Sequence, residues 1–260
     1  MRFRRRGGML GVTERIIMKP TSIAALCVSA ALAGGAVTAS FPAAGAGHPQ
    51  ASKGLDPASF ANPVANPYYP LEPGTVTRYR GTDEGQRLHE KVSVTHRTKR
   101  IEGVRTRVVL DVLRRADGSL AEKTHDWYAD DRDGNVWYFG ERTATYDRHG
   151  HVQSREGSWE AGVDGARAGL IMPADPHPTD AYRQEFYRGH AEDQAWVVQS
   201  RSTVRTPMRR FRHVVRTFEW SRLEPDVVSV KLYARGVGIV REKDLAGGTE
   251  TFDVVSVRHS

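Results

Sequence analysis

The chain has 260 residues, 39% hydrophobic and 27% charged, with a formal net charge of +7 and one cysteine. Six bases and one acid fall within the first 46 positions, so the rest carries only +2; the excess positive charge expected of a nucleic-acid binder is absent from the body. One cysteine excludes an intrachain disulfide framework, and beyond the first 46 residues no stretch is apolar for long enough to span a membrane as a helix.

From Met18 the sequence reads Lys19, an apolar run over Ile23 to Val37, then Ala44-Gly45-Ala46. That order of basic region, apolar run and small-x-small site is a secretory signal peptide, with cleavage expected after Ala46. Residues 1–17 are either an extended basic region or, the favoured reading, translation from an upstream start. A twin-arginine signal fits poorly, because Arg5-Arg6 is followed by Gly7-Gly8 far from the run. Cys27 sits mid-run behind Leu26, where a lipid-anchor signal needs a small residue. The exported chain is therefore expected to lack cysteine, which removes thiol catalysis and leaves a packed core as its source of stability. Residues 47–67, dominated by Gly, Pro, Ala, Ser and Asn, read as a flexible tether, and 68–260 as one domain.

Turn signals recur along that domain. Glu84-Gly85, Glu102-Gly103, Asp117-Gly118, Asp133-Gly134 and His149-Gly150 lie fifteen to eighteen residues apart. The segments between them are rich in Val, Thr, Tyr, Trp and Phe, which favour pleated, half-buried strands. Val104, Val108, Leu110 and Val112 share one face of a period-two pattern, with Arg105, Arg107 and Asp111 assigned to the other. Further strands are expected over 182–187, 195–206, 211–220, 227–234, 238–243 and 249–257. The fold class is all-β: a long-stranded antiparallel meander forming a curved sheet, half-barrel or barrel. The segment 157–180, with Trp159, Leu170, Ile171 and Met172, is too apolar for a linker and is expected as a long covering loop.

Asp126, Asp130, Asp131 and Asp133, with Asn135, crowd one hairpin end. Calcium takes six to eight oxygens, but Ala129 and Gly140 break the EF-hand pattern, so turn stabilisation is preferred and no metal is assigned. Trp127, Trp137, Tyr138, Trp159 and Met172 are the candidate ligand-binding residues, because aromatics on both faces of one hairpin leave a face free to line a concave pocket. Glu160 and Asp164, with Glu141 or Glu185 nearby, form the most enzyme-like group, two carboxylates beside an aromatic. Their alternative role is to tie down a Gly-rich loop. Arg210, Arg212 and Arg216 share parity on one strand and could hold anionic groups, or simply protect an edge. His149-Gly150-His151 lacks a third zinc ligand, and HExxH, GxSxG and phosphate-loop signatures are missing.

The stretches Gly157-Ser158-Trp159-Glu160-Ala161-Gly162-Val163-Asp164-Gly165-Ala166, 134–141, 191–193 and 233–238 resemble a family of uncharacterised secreted bacterial proteins over most of 66–257. In general design the chain is similar to periplasmic half-barrel proteins, including lipoprotein carriers. The resemblance implies export and a β fold, and no activity. His190 departs from it, standing where an acidic residue is expected. The reading is an exported or envelope-associated, non-catalytic binding module without cofactor, holding a lipid-like or other apolar ligand on its concave face. The alternatives are a secreted hydrolase using Glu160 and Asp164, and an envelope protein that binds an anionic polymer through the Arg stripe.

Overall fold

The computed structural model describes residues 55–260. The leader over 1–46 and the first part of the tether, 47–54, lie outside the described residues. The described part is all-β, and none of its helices is long and apolar enough to cross a membrane.

Five long strands form the first meander: β1 (Val76–Asp83), β2 (Gln86–Ile101), β3 (Val104–Arg115), β4 (Leu120–Asp130) and β5 (Val136–Tyr146). The short strands β6 (Val152–Ser154), β7 (Trp159–Glu160) and β8 (Arg167–Met172) all pair with β5. Next come β9 (Ala181–Arg183) and β10 (Glu185–Phe186). A second meander follows: β11 (Asp193–Arg205), β12 (Arg210–Ser221), β13 (Val228–Ala234), β14 (Gly238–Ala246) and β15 (Thr251–Arg258).

The turns explain the meander. Glu84 and Gly85 have φ of 47° and 75°, and Glu102 and Gly103 have 46° and 82°. Two successive positive φ values make the two-residue loop whose twist matches that of the flanking strands, and Gly reaches that region at no steric cost. At Asp117-Gly118, Asp133-Gly134 and His149-Gly150 the loop is longer, with the glycine N–H donating to a carbonyl three residues back.

The sheet path runs β10-β8-β5-β4-β3-β2-β1-β15-β14-β13-β12-β11-β9. Its two ends are neighbours in sequence. β10 pairs with β8, β9 pairs with β11, and Gln184 between them donates its N–H to the Asp193 carbonyl at 2.8 Å. One six-residue stretch thus seams a twisted sheet into a nearly closed barrel, and closure removes most of the unpaired edges. The segment 157–180, expected as a covering loop, does its covering partly as sheet, through β7 and β8.

Tyr69 locates the interior. Its ring lies 5.1 Å from that of Tyr128 on β4, and it also sits beside Lys231 on β13 and Glu219 on β12, far away along the sheet. The face of β3 that looks inward differs from the sequence expectation. Val109, Asp111, Leu113 and Arg115 are buried, whereas Leu110 and Val112 are half-buried. Val108 and Val109 are both buried, and the β2–β3 register shifts between Val94 and Thr98, so simple alternation fails there.

From Leu55 onward the stretch read as tether is laid against the barrel. Pro57–Phe60 form a 3-10 turn capped by the Asp56 carboxylate. Phe60 meets Phe139 edge-on at 5.7 Å, and Arg132 N–H donates to the Ser59 carbonyl. Buried Asn66 then clamps the chain. Its amide donates to the carbonyls of Gly134 and Pro173, while its Oδ1 accepts from the N–H groups of Tyr68 and Tyr69. Asn66→Ala leaves two buried carbonyls and two amides without these partners. Urea unfolding is expected to show a loss of about 2–3 kcal/mol; a loss below about 0.5 kcal/mol would mean the clamp is redundant.

Candidate functional site

Two features occupy the barrel interior. Toward the end that carries the 131–135 turn, an apolar pocket opens between the N-terminal segment and strands β1, β2, β3 and β14. Leu71, Tyr79, Val92, Val94, Val109 and Ile239 form most of its wall, and Thr75 and Thr77 add hydroxyls. Its empty space is about 540 Å³ when the open solvent at its mouth is included, and the enclosed part is small, about 60 Å³. The Tyr79 hydroxyl is held by donating to the Ile239 carbonyl at 3.0 Å, which fixes the ring as one wall. Gly238 stands at the mouth opposite Pro70.

Below the pocket the interior is polar. Among the described residues, eleven Asp and Glu side chains are buried, against two buried bases, Arg115 and Lys231. Arg115 spans the far end of the barrel, donating to the carbonyls of Leu120 and Tyr146. Lys231 lies 3.0 Å from Glu219 and 3.6 Å from Glu242. Glu219 is well served, accepting from Tyr233, Thr217 and Gln184 as well. The Lys231 ammonium is held well above its usual range, because the Glu219 and Glu242 charges outweigh the burial that opposes them. Glu242 is nonetheless pushed up to about 8 by burial. The lysine lies nearer Glu219, serves it first and leaves Glu242 under-compensated.

The remaining acids face one another. Asp126 on β4 stands directly opposite Glu141 on β5, and the Tyr138 hydroxyl lies 2.9 Å from a carboxyl oxygen of each. The buried Glu90 and Asp111 carboxyls lie diagonally across the β2–β3 pairing. Burial, followed by neighbouring negative charge, holds Glu90, Asp126, Glu141, Asp193 and Glu250 well above the carboxylate range. Asp111 is pushed up to about 7, first by burial. In each case desolvation of the charged form dominates.

The residues singled out from sequence scatter over this frame. Tyr138, Trp159 and Met172 are core residues; Tyr138 stacks on Tyr128 at 4.7 Å and meets Trp159 edge-on at 5.4 Å. Trp127 is buried beneath the Lys99 ammonium, 3.5 Å from its ring centre. Trp137 is half-buried, its indole N–H donating to Asp131. None of the five lines the pocket.

The acidic hairpin divides. Asp131 accepts from the backbone of Asp133 and Asn135 and from the side chains of Asn135 and Trp137, which shapes the turn. Asp130 faces Asn66 and is pushed up to about 6 by burial, whereas Asp126 belongs to the interior.

Glu160 pairs with Lys99 at 2.6 Å, and its strand neighbour Trp159 points the other way, bonding buried Glu185. Asp164 lies exposed in a turn at φ 49°. The structure thus brings Glu141 and Glu185 together in the interior, where the Glu185 charge adds to the burial that raises the proton affinity of Glu141. Glu160, tied to a lysine of β2, is not in that group.

Arg210 and Arg212 are exposed and Arg216 is half-buried. Between them His213 adopts φ 55°, Val214 and Val215 are both fully buried, and the register with β11 shifts. The three arginines therefore belong to an irregular strand, not a straight row. His190 stacks on Tyr187 at 4.3 Å.

Sequence reasoning missed both the pocket wall on β1, β2 and β14 and the interior acids. One usable signal existed: Lys231 sits inside the run Val228-Ser229-Val230-Lys231-Leu232, and a charge within a nearly continuous apolar strand implies a buried partner.

No family model matches the chain, and no curated protein matches it. Solved structures that match include a protein described as exported, with a YmcC-like fold, from Bacteroides fragilis NCTC 9343. It is 14% identical, with 75% of this chain and 100% of that chain covered at a TM-score of 0.44. Another is a protein described as a lipoprotein from Parabacteroides distasonis ATCC 8503, 11% identical with the same coverage and a TM-score of 0.42.

Proposed function

We propose that the protein is an exported, non-catalytic barrel that holds an apolar ligand in the pocket walled by Leu71, Tyr79, Val92, Val94, Val109 and Ile239. The signal-like order of Lys19, the apolar run and Ala44-Gly45-Ala46 supports export to the cell envelope or beyond. One observation carries the binding reading. The pocket is a concavity with apolar walls and a few placed hydroxyls, the lining that small-molecule sites use. An alkyl chain or flat apolar ring inserted there would bury its surface against five aliphatic side chains and Tyr79, worth about 25 cal/mol per Å² covered.

Protein recovered from its own source and extracted with solvent is expected to yield a co-purifying apolar compound by mass spectrometry. Val94→Arg places a charge in the wall and is expected to weaken binding of an apolar fluorescent probe at least about tenfold, with the fold intact by circular dichroism. Unchanged probe affinity in that variant would place binding elsewhere.

A further inference from the structure

The acids beneath the pocket pose a problem of proton count. Asp126 is fully buried and Glu141 is 3% exposed, and they stand opposite each other in the β4–β5 register. Like charges directly opposite destabilise a sheet. Both carboxyls lie 2.9 Å from the single hydroxyl of Tyr138. One O–H can donate to one of them only, so the other approaches by donating a proton of its own to the phenol oxygen. The pair therefore holds at least one proton. Glu90 and Asp111 form a second pair of buried acids, diagonal neighbours across β2 and β3, where Glu90 pairs with Leu113 and Asp111 with Val92; the Asp111 charge adds to the burial that raises the proton affinity of Glu90.

The neighbours that most affect these pairs are other acids and phenols. The Asp126–Glu141 pair faces Asp111 of β3, Glu122 of β4, Glu185 of β10, and the phenols of Tyr69, Tyr128 and Tyr138. The Glu90–Asp111 pair faces Tyr79 of β1, Glu122 of β4, Glu242 of β14 and Glu250. Buried Lys231 is engaged with Glu219 and Glu242.

We propose that these two carboxyl pairs are proton-holding latches. They keep the barrel interior closed in acid to neutral surroundings, and they loosen it, together with the pocket wall at Tyr79, when they ionise. The link to the pocket is shared residues: Tyr79 lines the pocket and faces Glu90 and Asp111, while Val92 pairs with Asp111 across β2 and β3. This last step rests on the binding reading above.

The sign follows from linkage. A carboxyl whose proton affinity is raised by folding keeps its proton where the unfolded chain has lost it. Stability is then greatest at and below the ordinary carboxyl range and falls as pH rises through the folded value, about 7 for Asp111.

The full exported chain, without added ligand, is expected to melt about 10 °C lower at pH 8 than at pH 5. Its infrared spectrum at pH 7 should retain a protonated-carboxyl C=O band. Asp126→Asn replaces the shared proton with an amide N–H that donates to Glu141 without titrating; it should remove part of that band and flatten the pH dependence by about half. Glu90→Gln should act in the same direction on the second pair. Absence of the band at pH 7, or equal melting at both pH values, overturns the latch. N-phenylnaphthylamine, uncharged over this range, should bind several-fold more weakly at pH 8. If it binds at neither pH, the pocket reading fails while the band and melting still decide the latch. Equal binding at both pH values with shifted melting overturns the coupling between them.

Discussion

Lys231→Met is expected to destabilise the barrel by about 3–5 kcal/mol near neutral pH. The aliphatic stem is conserved in volume, so little of this comes from a cavity. The loss comes from charge: Glu219, 3.0 Å from the ammonium, and Glu242, 3.6 Å away, would lose the buried cation that faces them. Breaking a buried pair from one side costs more than replacing both members, because the survivor stays dehydrated. Two further outcomes separate this account from simple packing. The loss should be larger at pH 8 than at pH 5, because Glu242, whose proton affinity lies near pH 8, is partly ionised at the first and neutral at the second. Lys231→Met combined with Glu219→Gln should recover more than half of it, since glutamine keeps the oxygen that accepts from Tyr233 and Thr217. Urea titrations of the three proteins at pH 5 and pH 8 measure both. A loss independent of pH and unrelieved by the second substitution would assign Lys231 a purely steric role.

The β architecture was legible because turn chemistry is local. Glu84-Gly85 and Glu102-Gly103 announce two-residue loops from dipeptides alone, and the loops take the expected left-handed backbone. Strand faces were legible only where one side is apolar. On β3 the rule that acids face water put Asp111 outside with Arg105 and Arg107; it lies inside, 2% exposed, because Glu90 waits for it on β2. That partner is about twenty residues away in sequence and meets it only through a register containing a bulge, so no local pattern could find it. The same limit hid the pocket, whose wall draws on the N-terminal segment, β1 to β3 and β14. The aromatics that sequence favoured as ligand contacts are large apolar groups beside a turn. Such groups are what a barrel with so many interior carboxyls needs for its remaining packing, and Tyr138 and Met172 are fully buried in that role.

Gly169 is the residue on which barrel closure depends, and Gly169→Ala is expected to lower stability by about 3 kcal/mol or more, or roughly 6–12 °C in melting temperature for a domain of this size. The glycine sits on β8 between two partners: it pairs with Tyr138 on β5, and a methyl group there would collide with the backbone carbonyl of Gln184. Gln184 lies in the 181–186 stretch that seams β8 to β11, so relief requires the seam itself to move away. Gly85→Ala is the control. A methyl group there meets nothing within 4 Å and incurs only the left-handed backbone at φ 75°, about 1 kcal/mol. Hydrogen exchange locates the damage. In the Gly169 variant the Gln184 amide, which donates to the Asp193 carbonyl across the seam, should lose protection well before amides of the β2–β3 hairpin. If Gly169→Ala costs no more than the control, or protection falls uniformly across the sheet, the 181–186 stretch is not what closes the barrel.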